Sequence, residues 1–167
     1  VKLARDQFVS THRPKIRVKH LWLISDVWHN EQVVVDLFCV NSGPAIARLH
    51  EIGLKCLVID VNKNVPAGTT INALIKPYEG WIKSGFNYTF AGMTDGTVIS
   101  SNQNMGIQQG LARLICFGYV SYFDTADRLR ITGFCRELTF PATISANRSI
   151  SSCRFRVFDD PDFEDED

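Results

Sequence analysis

The sequence predicts an all-β chain: an immunoglobulin-like, two-sheet antiparallel sandwich of about seven strands, with one short internal helix and a short N-terminal helix. Three observations lead there. Short apolar runs with a period of two recur along the chain, separated by clusters of turn formers. The one internal stretch with both a helix start and a helix stop covers only residues 100–110. Two long runs, LARLICFGYVSYF and RLRITGFCREL, flank a short polar turn at 124–127, which predicts an antiparallel hairpin over residues 113–138.

Taken in order, residues 1–14 place Val1, Leu3, Ala4, Phe8 and Val9 at roughly helical spacing before Pro14, which forces the preceding residue out of the helical region. This is the short N-terminal helix. The run 15–24 alternates Ile16, Val18, His20, Trp22 and Ile24 against Lys15, Arg17, Lys19, Leu21 and Leu23, the pattern of a half-buried strand. Residues 32–41 continue it, with Val33, Val35, Leu37 and Cys39 on one face. Asn41, Ser42, Gly43 and Pro44 then form a turn, of the kind that precedes the crossing between sheets in immunoglobulin-like domains. Further strands are expected at 52–61, 69–78 and 86–92, with a loop over 62–68. In the helix at 100–110, Ser100 or Ser101 is the N-cap and Gly110 the stop.

In the hairpin, burial argues for a register with Tyr122 opposite Leu129. That setting joins Leu114, Cys116, Gly118, Val120 and Tyr122 to Leu129, Ile131, Gly133 and Cys135 in one apolar face, and brings Cys116 near Cys135. A slip of one residue would turn Arg128, Arg130 and Arg136 toward that face instead. The preferred register leaves the other face rich in arginine and aromatics, and Phe117, Tyr119, Arg130, Phe134 and Arg136 on it form the candidate partner-binding surface.

The 167 residues are 45% hydrophobic and 11% aromatic, enough to build the core of one domain. The expected division is a helix or linker over 1–14, the sandwich over 15–158 and a solvated acidic tail over 159–167. Eighteen basic and 18 acidic residues cancel, which argues against nucleic acid as a partner. The ends differ in sign: Lys2, Arg5, Arg13, Lys15, Arg17 and Lys19 open the chain, and DDPDFEDED closes it. That tail lacks the glycine and spacing of a calcium loop. The 5 cysteines include no C-x-x-C pair and the 4 histidines no H-x-H or H-E-x-x-H, so neither a metal nor a cofactor is expected, and buried thiols are preferred over a disulfide framework. With no G-x-S-x-G, P-loop or dinucleotide fingerprint, no catalytic residue is assigned and the chain is not expected to be an enzyme.

The segments THRPKIRVKHLW, GLARLICFGYVSYFD with RLRITGFCREL, and RFRVFDDPDFEDED together resemble a group of uncharacterised bacterial proteins. In that group an N-terminal membrane anchor precedes one immunoglobulin-like sandwich with a THRP junction, an FCR hairpin motif and a DDPD acidic end. The resemblance implies that the opening residues continue a membrane anchor, and it brings no known activity. Given an anchor at the inner membrane, the basic opening favours a domain on the cytoplasmic side, with the periplasmic side as the alternative. The resulting expectation is a membrane-tethered, non-catalytic binding or scaffolding module with a protein partner. The alternative is a small-ligand receptor or enzyme with a loop-built site.

Overall fold

The structure, a computed structural model, describes residues 12–24, 32–66, 68–71, 73–75, 80–139 and 154–157. The expected N-terminal helix falls almost wholly outside these residues, and the acidic tail 159–167 does so entirely. The elements are β1 (Ile16–Leu23), β2 (Val35–Asn41), β3 (Ala47–Asp60), β4 (Ala73–Ile75), β5 (Trp81–Ile82), β6 (Asn87–Met93), α1 (Ser101–Gln108), β7 (Ala112–Phe123), β8 (Leu129–Thr139) and β9 (Arg154–Val157). Nine strands thus replace the expected seven or so among the described residues; β5 and β9 are the unforeseen ones. Both are too short to show a period.

The strands form two antiparallel sheets, a small one in the order β1-β2-β6 and a larger one in the order β4-β3-β7-β8-β9, with β5 also paired to β3. This is the immunoglobulin-like division, the A, B and E strands in one layer and C′, C, F and G in the other. The chain changes layer between β2 and β3, returns between β5 and β6, and changes again between β6 and β7. At the last change α1 begins with a reciprocal cap: the Ser100 hydroxyl accepts from the Gln103 amide, and Gln103 Oε1 accepts from the Ser100 amide. Gly110, at φ 73°, ends the turn that follows it.

The two inner faces supply one core. Val35, Leu37 and Cys39 of β2 are fully buried against Ile52, Leu54 and Cys56 of β3 and Leu114, Cys116 and Val120 of β7. In β1 the inward face changes partway along: Ile16 and Val18 are buried, but so are Leu21 and Leu23, while Trp22 and Ile24 are exposed. The simple alternation expected there is corrected by a bulge between Val18 and His20, which inserts one residue and inverts the faces beyond it. β3 and β7 approach closely at Gly118, where a Cβ would collide with the Gly53 carbonyl.

The turn after β2 shows why asparagine and glycine stand where they do. The buried Asn41 side chain accepts from the Lys15 amide at 3.1 Å and the Gly43 amide at 3.0 Å, and donates to the carbonyls of Ala45 at 2.6 Å and Ile82 at 2.9 Å. One side chain therefore ties the start of β1, the crossing turn and β5 together. Gly43 lies against the backbone of Arg13, Pro14 and Lys15, with no space for a Cβ.

The hairpin forms, but its register is corrected by one residue. Tyr122 faces Arg130, Val120 faces Thr132, Gly118 faces Phe134 and Cys116 faces Arg136, so Cys135 lies opposite Phe117 rather than near Cys116. Two causes combine. The Asp124 amide donates to the Arg128 carbonyl at 3.0 Å, enclosing a three-residue loop 125–127 that ends on Asp127 at φ 54°, and a loop of this form sets Phe123 opposite Leu129. The polar groups turned inward also find partners. β1 is an edge strand, and the carbonyls of Pro14, just before it, and of Ile16 and Val18 within it recur at the two-residue spacing that points them to one side. Thr132 Oγ1 donates to Ile16 at 2.9 Å, Arg136 Nη2 to Val18 at 2.9 Å, and Tyr122 makes a longer contact of 3.5 Å with Pro14. Side chains of the larger sheet thus seal the free edge of the smaller one, which offsets the desolvation of a buried arginine.

Candidate partner-binding surface

The register decides which side chains the larger sheet turns outward. From β5 through β3 and β7 to β8 the pairing Trp81, Arg48, Phe123, Leu129 makes one row across the outer face, and Ile131 stands beside it. Trp81 is 63% exposed, Leu129 50% and Ile131 46%. The Arg48 guanidinium sits 4.7 Å from the Phe123 ring centre and 5.8 Å from that of Trp81, and donates to Asp127 at 3.0 Å. His50 meets Phe123 edge-on at 5.0 Å.

The row ends at the hairpin tip, which Asp124 organises. Its buried carboxylate accepts from the amides of Ala126 and Arg128 at 2.8 and 3.0 Å and from the side chains of Arg128 and Arg130 at 3.1 and 3.2 Å. Burial opposes ionisation here, but the Arg128 and Ala126 amides and the two guanidinium groups outweigh it and hold the carboxyl below its ordinary value of 3.8. Asp95, in the loop after β6, is held the same way. Against its burial it accepts from the Cys56 amide, from the Thr97 hydroxyl and amide, and from Lys55 at 3.3 Å, and its pKa is also lowered. A depressed carboxyl contributes stability above its unfolded value that is lost as pH falls through the folded one. Urea midpoints are therefore expected to be level near neutrality and to fall below about pH 4, less steeply in Asp124→Asn; equal slopes in the two proteins would contradict this assignment.

Farther along the outer face the surface is closed. Ile115, Phe117 and Cys135 are buried and pack with Leu57 and Ile59 of β3 and with Val65 and Ile71 of the segment that follows it, a second small core. Between the closed and open parts, Tyr119 lies over Gly53 and donates to Glu51 at 2.6 Å, and this hydrogen bond, then burial, push its phenol up to about 12.

The five residues expected to share a surface are divided accordingly. Phe117 and Tyr119 belong to the outer face, Phe117 covered and Tyr119 half-buried. Phe134 at 0% and Arg136 at 5% exposure point into the sandwich, and Arg130 is drawn to Asp124. Arg48 and Trp81 had no visible signal: Arg48 precedes the apolar run that marked its strand, and Trp81 lies in a strand of two residues. A second aromatic group, His20, Trp22 and Phe38, stacks on the outer face of the small sheet with ring centres 5.6 to 5.9 Å apart.

No family model, curated protein or solved structure matches this chain. Among the described residues no group of three His, Cys, Asp or Glu is placed to hold a metal ion, and no helix is long and apolar enough to cross a membrane.

Proposed function

We propose that this domain is a non-catalytic, membrane-tethered binding or scaffolding module whose partner is a protein, engaged through the open end of the larger sheet. The observation that carries this reading is the row Trp81, Arg48, Phe123 and Leu129 on the outer face of the larger sheet, with Ile131 beside it: Trp81, Leu129 and Ile131 are exposed, and Arg48 and Phe123 are half-buried between them. Aromatic residues and arginine with a neighbouring aliphatic patch are the composition of protein interface centres. The charge pattern favours a protein over a polyanion, because Arg48 is paired with Asp127, and Arg128 and Arg130 with Asp124. The tether in this reading rests on the resemblance described above and on the basic residues that open the chain.

The test is an affinity pull-down of the full-length protein from its native membrane, repeated with the double variant Trp81→Ala, Leu129→Ser and with a chain lacking residues 159–167. Losing a central aromatic anchor is expected to weaken a specific partner about thirtyfold, while the fold, whose core these side chains do not enter, keeps its melting temperature. A partner retained equally by the double variant, or no specific partner for the parent, would sink the proposal. Loss on removing the tail alone would move the contact from the sheet to the acidic end.

A further inference from the structure

We infer that Cys56 and Cys116 form a disulfide across β3 and β7, a covalent staple in the middle of the larger sheet. The two residues are direct partners in the strand register, both are fully buried, and their sulfurs stand 2.8 Å apart. Two thiols this close, on paired residues, need little movement to bond.

The backbone around them supports the same reading. The Cys56 amide donates to Asp95 Oδ2 at 3.0 Å and its carbonyl accepts from Thr97 Oγ1 at 3.1 Å, so both groups face the loop after β6 and away from β7. Cys56 and Cys116 are therefore a non-hydrogen-bonded pair of the antiparallel ladder, the kind in which the two Cα atoms approach to about 4.5 Å and the side chains are nearest. That separation lies within the range a disulfide spans. The bond would close a loop between residues 60 positions apart, a length at which cross-linking restricts the unfolded chain strongly.

The reaction is thiol–disulfide exchange with a small-molecule disulfide such as oxidised glutathione. One cysteine thiolate attacks it, forming a mixed disulfide and releasing one small thiol; the second cysteine displaces the other. One sulfur–sulfur bond breaks and one forms, the two cysteines give up two protons and two electrons, and the small disulfide leaves as two thiols. Because both sulfurs are shut inside the folded core, the exchange belongs to folding, before the sheets close. Afterwards the same burial shields the bond from reductants. A staple of this kind suits a domain that folds on the oxidising side of a membrane, and it favours the periplasmic of the two placements raised by the sequence.

The full chain, denatured and reduced, is refolded in a buffer of reduced and oxidised glutathione, alkylated in denaturant and mapped by peptide mass spectrometry. The expected product carries three alkylated thiols of its 5, has lost the mass of two hydrogens, and yields a peptide joining Cys56 to Cys116. Native treatment with dithiothreitol is expected to leave that link intact at least tenfold longer than the same treatment in urea, the sign of a bond inside the core. Folded protein alkylated at all 5 cysteines, or a link that leaves Cys56 and Cys116 alkylated, would overturn the inference. Cys56→Ala and Cys116→Ala must each abolish the linked peptide; if either variant fails to fold, the parental map decides alone.

Discussion

Replacing Arg136 by alanine is expected to lower the stability of the domain by about 4 kcal/mol, a fall of about 10 °C in melting temperature for a domain of this size. Arg136 is 5% exposed, and its guanidinium donates to the Val18 carbonyl of β1 at 2.9 Å and to the Cys135 carbonyl of its own strand at 2.8 Å. Removing it leaves two carbonyls without these donors in a region water does not reach, and opens a void where the stem packed. Methionine in place of Arg136 keeps most of that stem, so the loss is expected to halve to about 2 kcal/mol. Thr132→Val, which removes only the bond to Ile16, is expected to cost about 1 kcal/mol. The ordering alanine, methionine, then the threonine variant is the signature of a polar seam. If Arg136→Ala lost less than about 1 kcal/mol in urea unfolding, the arginine would not be joining the two sheets.

Asn41→Ala is the second large effect, with an expected loss of about 3 kcal/mol. The side chain satisfies two amides and two carbonyls at once, from Lys15, Gly43, Ala45 and Ile82, which lie on three different segments. Alanine strands all four groups. Asn41→Asp has nearly the same shape but keeps only the acceptor half, and its charge would face the two carbonyls; it is expected to be at least as damaging at neutral pH. Protonation gives that variant one donor, so it is expected to regain stability relative to Asn41→Ala as pH falls toward 4, a difference visible in paired urea titrations. An aspartate variant as stable as the parent would mean that the donor bonds to Ala45 and Ile82 carry no weight.

Much of the fold was legible because it rests on local chemistry. Strand β2 alternates without interruption, Ser100 or Ser101 and Gly110 bracket the one internal helix, and the long runs around residues 124–127 admit only a hairpin. The register was not legible by the same means. Burial alone charges a buried arginine as a loss, and a linear reading could not see that the edge carbonyls of Ile16 and Val18 would lie within reach of Thr132 and Arg136. A signal for it did exist in the turn, where Asp124 accepts from two amides of the loop and Asp127 takes the left-handed conformation that aspartate tolerates. The bulge in β1 hid in a sequence that alternates perfectly on paper. Of the candidate surface, Phe117 and Tyr119 were set on the correct side of the sheet. Arg48 and Trp81 join it through long-range pairing to β3 and β5, which no local period reports.

Both the sealed edge of β1 and the open row on the outer face depend on how β7 meets β8. The most direct test is the set of Hα–Hα nuclear Overhauser contacts across that hairpin. The register described here predicts contacts joining Ser121 to Ile131 and Phe117 to Cys135. Contacts joining Val120 to Ile131 and Cys116 to Cys135 would turn Arg136 outward, open the seam and contradict the account.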